Sequence, residues 1–348
     1  MPTLHVAAAA AAPGAEDAAA AVNSAPASAL GAGTSTAAFG ALEMDFKSWK
    51  RLRGPRVWNS IAEDLEDLYD FVDLDTKVVA AALKQMDDRI LYHLARGTIW
   101  LISVRALIGI LSVEPYTCLP RMQELAQCPG ALLAPADAAA LLNASRRNVF
   151  VLSYGWLTRE HPDPDGLRIR ALKTVFLEMQ ARGLLPTNAG LFWDYGSLPQ
   201  KPRSAAEEQT FEDGLRVMAD LYSSPLGTAV LQMKEMPRPS APLGEYNSRP
   251  YDRRGWCIFE SAVSVEMVCR ASGHRRGNLN PGDPDAIMNA MPRHKVYQVS
   301  PEGEWSSAFP KHQNFATVAS AINAAIFTGK GDQKKVLEMY LDFHIQVH

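Results

Sequence analysis

Val149-Phe150-Val151-Leu152-Ser153-Tyr154 is a short, continuous apolar run that ends in two hydroxyl-bearing side chains. The run predicts a strand that is buried on both faces, because it is short, rich in β-branched and aromatic residues and followed by a glycine. Strands of this kind belong to parallel sheets, because helices cover both sides of such sheets. The run therefore indicates an α/β protein.

The rest of the C-terminal sequence alternates helical and strand patterns around this run. Three further short strands are predicted at residues 190–193, 228–231 and 295–299. Apolar residues with helical spacing separate them, at residues 167–183, 207–222, 256–269 and 315–327. Strands that alternate with helices predict a parallel sheet with helices on both faces.

Residues 46–145 predict an all-helical module ahead of the sheet. Between residues 61 and 71, apolar residues recur at three- and four-residue steps with acidic residues between them. The most apolar run, residues 98–113, is too short to span a membrane and carries Arg105 near its middle. We therefore expect a buried core helix there and no interaction with a membrane.

Residues 1–45 are rich in alanine, glycine, serine and proline, and they predict a disordered tail. No Lys or Arg precedes Lys47, whereas Glu16 and Asp17 are present. Transit peptides are rich in arginine and poor in acids, and secretory peptides begin with basic residues. A passive tail is therefore favoured over a targeting segment, and we expect a cytoplasmic protein.

Charge and the absence of known motifs exclude several classes of function. The 348 residues include 35 basic and 38 acidic side chains, a formal net charge of -3, which argues against binding to nucleic acid. The first strand is not followed by G-x-G-x-x-G, and no P-loop motif occurs in the chain. No cysteine and histidine cluster has zinc-ligand spacing, so we expect no metal.

Polar and aromatic side chains follow the first two strands of the α/β region. Residues 153–156 read Ser-Tyr-Gly-Trp after the first strand, and residues 194–197 read Asp-Tyr-Gly-Ser after the second. Ligands of parallel sheets bind at the carboxyl ends of the strands. The sequence therefore predicts that a functional site lies at this edge of the sheet.

The α/β region resembles the TIR domain over about residues 148–327. In that family the first strand is an apolar run that ends in Ser-Tyr, as at residues 149–154. The second strand ends in Phe-x-Asp, as at residues 192–194. A later helix opens with Trp-Cys and has Glu four residues after the Trp, as in Trp256 and Glu260.

The same region is also similar to the fungal heterokaryon-incompatibility domains, which are distant TIR-like relatives. Leu-Ser-Tyr-x-Trp of that family matches residues 152–156, and its Asp followed six residues on by Gln matches Asp194 and Gln200. Its Arg-x-Trp-x-x-x-Glu pattern matches the segment from Arg254 to Glu260. The motifs occur in the family's order, so the two resemblances support each other.

The resemblance implies a flavodoxin-like parallel sheet at residues 146–348 and a hydrolase that cleaves NAD between nicotinamide and ribose. Glu260 would be the catalytic carboxylate, since one carboxylate can stabilise an oxocarbenium-like transition state beside the ribose. Nicotinamide already carries a positive charge in NAD, so it leaves without a proton from an acid. NAD would be the substrate, and no cofactor would be needed.

The resemblance also implies which residues surround the substrate. Asp194 would accept hydrogen bonds from the ribose hydroxyls. The diphosphate would pair with the two arginines at the start of the helix, Arg253 and Arg254, helped by the helix dipole. The aromatic walls would be Trp256, Tyr154, Trp156 and Trp193.

Two other functions fit the same sequence. The loops differ from the usual TIR pattern at Gly155 and Leu198, which favours a non-catalytic signalling scaffold that self-associates through its TIR-like surfaces. In this alternative the helical module docks a partner. A nucleoside or nucleotide glycosyl-transferring enzyme of similar topology would keep the carboxylate and use another substrate. An open cleft that holds Glu260 with Trp256 and Tyr154 would indicate an enzyme, and a Glu260 buried against Arg254 with no cavity would indicate a scaffold.

Overall fold

The computed structural model describes residues 75–109, 118–144, 147–186, 188–225, 227–238, 246–276, 295–308, 313–329 and 331–347. The predicted disordered tail and the helical pattern at residues 61–71 lie outside these ranges. The described part of the predicted helical module therefore begins at residue 75.

A mixed six-stranded sheet forms the centre of the described part of the molecule, with the strands in the order β1-β3-β2-β4-β5-β6. Strands β3, β2, β4 and β5 are mutually parallel, and β1 and β6 run antiparallel at the two edges. In register, Val149 of β2 lies opposite Gly190 of β3 and Thr228 of β4. The strands are β1 Ile102–Ser103, β2 Val149–Tyr154, β3 Gly190–Phe192, β4 Thr228–Met233, β5 Val296–Val299 and β6 Trp305–Ala308.

The edge strands correct two expectations from the sequence. The sheet is not wholly parallel, because β6 returns from β5 through a tight turn at Gly303, whose φ is +90°. The region predicted as all-helical contributes β1, which covers the free edge of β3. A two-residue strand and a short return strand leave almost no periodic signal, and the neighbouring edge determines their conformation.

Ten helices among the described residues flank the sheet. They are α1 Asp75–Ala95, α2 Val104–Gly109, α3 Met122–Leu125, α4 Pro135–Asn143, α5 Leu167–Ala181, α6 Asp194–Ser197, α7 Ala205–Ser223, α8 Gly255–Arg276, α9 Phe315–Ala324 and α10 Asp332–Val347. Each described helix is too short or too polar to cross a lipid bilayer. The described part of the apolar run, residues 98–109, contains β1 and α2 instead of one long helix.

Local signals in the sequence explain where the main helices begin and end. Helix α7 starts in a capping box, in which the Glu207 N–H donates to Ser204 Oγ and the Ser204 N–H donates to the Glu207 carboxylate. The Asn314 side chain accepts from the Thr317 N–H at the start of α9. Helix α5 ends before Gly183, whose φ of +69° favours glycine.

Strand β2 separates two hydrophobic clusters on opposite faces of the sheet. Its Val149 and Val151 pack in a cluster with α1, α4, α7, α8, α9 and α10. Its Phe150, Leu152 and Tyr154 pack in a second cluster with α2, α3 and α5. Every residue of β2 is buried, so the strand alternates between two cores rather than between a core and solvent.

A buried ion pair joins α1 to α7 beside the first cluster. The Arg89 guanidinium donates to both carboxylate oxygens of Asp220, at 2.7 and 2.8 Å. The Asp220 side chain is only 4% exposed. On the same helix, Arg216 and Asp213 form a pair that is exposed to solvent. The two pairs allow a matched comparison on one helix.

We expect Asp220→Asn to lower the free energy of unfolding by about 1–3 kcal/mol, because it leaves the Arg89 charge without its buried partner. The control is Asp213→Asn, which should cost less than about 1 kcal/mol because exposed ion pairs stabilise proteins weakly. Urea denaturation of both variants measures the difference. Equal losses in the two variants would contradict a structural role for the Arg89–Asp220 pair.

Candidate functional site

The Glu260 carboxyl lies against the carboxyl end of β2, at the edge of the sheet where the resemblance implies a site. The Ser153 hydroxyl donates to Glu260 Oε2 at 2.6 Å, and the Tyr251 hydroxyl oxygen lies 2.5 Å from Ser153 Oγ. Because Ser153 uses its proton on Glu260, Tyr251 donates to Ser153. The three side chains form a buried chain of hydrogen bonds, and Glu260 is only 7% exposed.

The surroundings of Glu260 favour its neutral form. Burial raises the pKa of the Glu260 carboxyl well above its usual range, and the hydrogen bond from Ser153 offsets only part of this effect. The nearby carboxyl group of Asp194 raises the pKa of Glu260 further. Glu260 is therefore a hydrogen-bonded buried acid rather than an exposed carboxylate.

Asp194 is the centre of a second polar cluster at the ends of β2 and β3. The Tyr154 hydroxyl donates to Asp194 Oδ1 at 2.5 Å, and the Trp156 indole N–H donates to Oδ2 at 3.3 Å. The backbone N–H of Tyr195 also donates to Oδ1, at 2.7 Å. Burial raises the pKa of Asp194. Three donors already occupy this carboxyl group, and all three come from the protein.

The two polar clusters lie on opposite faces of the sheet. Ser153 and Tyr154 are consecutive in β2, so their side chains point to opposite faces. Ser153 therefore meets Glu260 of α8, whereas Tyr154 packs in the cluster with α5. The structure thus brings Tyr154, Trp156 and Asp194 together, and it places Tyr154 in a different core from the Glu260 side chain.

Trp193 belongs to the hydrophobic core instead of a pocket wall. Its side chain is 0% exposed, and its ring meets the edge of the Tyr154 ring at a centroid distance of 5.6 Å. Trp256 is partly buried and packs against the helices of the other face, where its indole N–H donates to Asp332 of α10 at 3.3 Å. Both indoles thus make contacts within the protein, Trp193 with Tyr154 and Trp256 with Asp332.

Arg254 holds the loops at this edge of the sheet together. Its guanidinium donates to the carbonyl oxygens of Trp156, Asn247 and Arg249 at 2.6, 2.7 and 2.9 Å. Gly155 lets the guanidinium approach, since a Cβ atom on Gly155 would lie 2.6 Å from Arg254 Nε. Arg253 is exposed, and its carbonyl accepts from Ile326. Arg254 is therefore occupied by protein carbonyls rather than free to hold a diphosphate.

His161 and Ser153 contact different partners. The His161 ring lies 3.0 Å from the Leu119 carbonyl through Nε2, and its Nδ1 accepts from the Asp163 N–H at 2.9 Å. Ser153 contacts Tyr251 and Glu260 instead. Within the described part of the chain, no three acidic, histidine or cysteine side chains converge to hold a metal ion.

No sequence pattern predicts that Tyr251 and Arg168 belong to the site. Tyr251 lies in a single 3-10 turn, Tyr251–Arg253, after a proline-rich segment without periodicity. Arg168 lies near the start of α5 at a position that the helical pattern leaves polar, yet its side chain is only 1% exposed. Both residues become part of this edge only through tertiary contacts.

A groove formed by described residues lies beside this region, at the carboxyl ends of β4 and β5. It is narrow and open to solvent, and its walls leave no room for a water molecule between them. Its lining residues are Leu167, Arg168, Met233, Glu235, Pro237 and Pro301. This set includes none of the residues that the resemblance assigns to the NAD site.

No protein-family model, curated protein or solved structure matches this chain. The function of the site therefore has to be inferred from its own geometry and chemistry.

The buried Glu260 predicts a pH-dependent difference between the wild type and Glu260→Gln. A pKa raised above its ordinary value of 4.5 means that the folded state binds the proton more tightly than the unfolded state. The free energy of unfolding of the wild type is therefore lowered as the pH rises above about 4.5. The variant has no titratable group at residue 260, so its free energy of unfolding relative to the wild type should increase as the pH is raised from about 5 to about 8.

Urea denaturation of the wild type and Glu260→Gln at about pH 5 and about pH 8, within the range where both proteins fold reversibly, measures the difference in free energy of unfolding. Glu338→Gln is the control, because it makes the same change at a side chain that is 62% exposed and removes no buried carboxyl group. A constant difference between wild type and Glu260→Gln at the two pH values would show that Glu260 is not held in its neutral form.

Proposed function

We propose that the α/β region is a TIR-like signalling module that acts by association rather than by catalysis. The observation that carries this proposal is the burial of Glu260, a residue that is 7% exposed and whose carboxyl group accepts a hydrogen bond from Ser153. Burial of Glu260 is part of the arrangement expected of a scaffold, and its partner is Ser153 rather than Arg254. The proposal keeps the resemblance to TIR domains and removes the requirement for a substrate.

The chemistry of glycosidic cleavage supports this choice. An oxocarbenium-like transition state is stabilised by a carboxylate that carries a negative charge and lies beside the sugar. Burial favours the neutral form of Glu260, and Ser153 occupies one of its oxygens. Asp194 accepts three hydrogen bonds from the protein, so it has little capacity left for ribose hydroxyls.

The strand order supports the TIR-like part of the proposal. The parallel strands follow the order β3-β2-β4-β5, in which the first of them along the chain lies between the second and the third. This is the order of the corresponding strands in flavodoxin-like folds. We therefore propose a flavodoxin-like core with antiparallel additions at both edges.

Incubation with NAD tests the absence of catalysis. We expect the full-length protein to release no nicotinamide above the rate in buffer, from dilute solution to the highest concentration attainable. The concentration series matters, because sites of this type are often completed by a neighbouring chain. Release that disappears in Glu260→Gln, with the variant still folded by circular dichroism, would overturn the proposal and establish a hydrolase.

An NAD glycohydrolase is the second candidate, and the position of Glu260 and Asp194 favours it. Both carboxyl groups lie at the carboxyl ends of the strands, where ligands of parallel sheets bind, and burial raises both pKa values. Catalysis would require Tyr251 and the loop held by Arg254 to move away from Ser153. NAD would then be the substrate, with no additional cofactor.

The self-association in our proposal is supported by apolar side chains on α10. Leu341 and Ile345 are 43% and 66% exposed, and they lie four residues apart, so they share one face of the helix. Lys334 and Glu338 form an exposed ion pair earlier in the same helix. This small apolar patch is the most direct place to test association between copies of the chain.

We expect the average mass of the wild type to increase with concentration and the double variant Leu341→Asp, Ile345→Asp to stay monomeric, because two charges would be buried at the contact. Leu177→Asp is the matched control, since Leu177 is also 43% exposed but lies on α5, on the other face of the sheet. Sedimentation velocity measures the masses. A monomeric wild type at all concentrations would count against association through this patch.

A further inference from the structure

His161 ties the loop between β2 and α5, residues 155–166, to the segment that precedes α3. Its Nε2 lies 3.0 Å from the carbonyl oxygen of Leu119, and its Nδ1 lies 2.9 Å from the backbone nitrogen of Asp163. A carbonyl oxygen can only accept a hydrogen bond, and a backbone N–H can only donate one. The ring proton is therefore on Nε2, and Nδ1 is the acceptor.

The two contacts of the ring exist together only while His161 is neutral. A protonated imidazole carries hydrogen on both nitrogens, so Nδ1 can no longer accept from the Asp163 N–H. Two N–H groups would then face each other at hydrogen-bond distance, which is repulsive. His161 is half-buried, so protons from the solvent can reach its ring.

Asp163 connects this hydrogen bond to the start of α5. The residue is 0% exposed, and its carboxylate accepts the backbone N–H groups of Arg168 and Ile169 at 3.0–3.1 Å. It thus caps the helix. A protonated His161 ring would be attracted to the same carboxylate, because opposite charges attract. Protonation therefore disturbs both the loop and the first turn of α5.

The His161 ring also packs beside the polar cluster around Asp194. It meets the Tyr195 ring at a centroid distance of 4.7 Å, and the Trp156 ring meets the same tyrosine at 5.7 Å. Trp156 in turn donates to the Asp194 carboxyl group. A change in the position of His161 would therefore reach the candidate site through Tyr195.

The surroundings of the ring favour its neutral form. Burial lowers the pKa of His161 below its ordinary value of 6.5, and this effect outweighs the opposing influence of the Leu119 carbonyl, Asp163 and Glu124 of α3. The closed loop therefore binds a proton more weakly than an open loop does. Its stability is complete above about pH 6.5 and is lost as the pH falls.

Cys118 and Tyr195 are also titratable and lie in the same surroundings. Burial raises the pKa of the Cys118 thiol, and nearby carboxylates raise it further. Burial and Glu124 raise the pKa of the Tyr195 phenol, whereas Arg121, which pairs with Glu124 at 3.0 Å, opposes that shift. Of these three titratable groups, His161 is the one that gains charge as the solution becomes weakly acidic.

We propose that His161 is a pH switch, which fixes the loop between β2 and α5 when it is neutral and releases this loop and the first turn of α5 when it is protonated. The switch would regulate access to the polar cluster around Asp194. It is independent of Glu260 and applies to a scaffold and to an enzyme alike.

Hydrogen–deuterium exchange of the full-length protein tests the switch. Exchange rates of the amides in residues 157–169 are compared with the intrinsic rates at each pH, which gives a protection factor. We expect protection to fall by about threefold to tenfold from about pH 7 to about pH 5, because the released loop takes up a proton that the closed loop binds weakly. Constant protection across this range would overturn the proposal.

The variant His161→Asn assigns the effect to this residue. Its side-chain oxygen can accept from the Asp163 N–H but cannot be protonated, so protection of residues 157–169 should not fall with pH. The control is His344→Asn on α10, which packs on the opposite face of the sheet and should keep the wild-type decrease. A wild-type decrease in folded His161→Asn would overturn the assignment.

If His161→Asn does not fold, the tautomer of His161 in the wild type decides. Nitrogen chemical shifts of the imidazole above its pKa show which ring nitrogen carries the proton. We expect the proton on Nε2. A proton on Nδ1 would overturn the switch, because Nδ1 could then not accept from Asp163 even in the neutral ring.

Discussion

Burial of β2 on both faces is the constraint on which the rest of the structure depends. The strand pairs with β3 on one side and β4 on the other, and every one of its side chains is buried. Each successive residue must therefore enter one of two cores. At the end of the strand this alternation separates Ser153, which meets Glu260, from Tyr154, which meets Asp194.

The polar groups at this edge are stabilised mainly by one another. One buried chain of hydrogen bonds joins Tyr251, Ser153 and Glu260. In a second cluster, the Asp194 carboxyl group accepts three hydrogen bonds. Arg254 satisfies three carbonyl oxygens of irregular segments that helices and strands leave unpaired. A network of this kind specifies one arrangement of the loops, because a missing partner would leave a buried group unsatisfied.

The predictable part of the fold consists of elements with a clear period. The strands at β2 to β5 and helices α5, α7, α8 and α9 follow from their apolar spacing, and α7 also from its capping residues. The edge strands β1 and β6 do not follow from such spacing. Helix α10 does carry a helical period that our expectations missed, since its buried residues Val336, Tyr340, Phe343 and Val347 recur at three- and four-residue steps. Two-residue and four-residue edge strands have too few positions to show a period, and only the neighbouring strand gives them a partner.

The sequence by itself determined the alternation of strands and helices, the buried central strand and the position of Asp194 at the edge of the sheet, whereas Glu260 entered only through the resemblance. Tertiary structure decided how these residues are used. Glu260 is hydrogen-bonded to Ser153 on one face of the sheet, and Asp194 is hydrogen-bonded to Tyr154 on the other. The Arg254 guanidinium donates its hydrogen bonds to backbone carbonyls. A motif specifies residue types and spacing, whereas burial and hydrogen-bond partners come from segments distant in the chain, and these set the charge and access of each side chain.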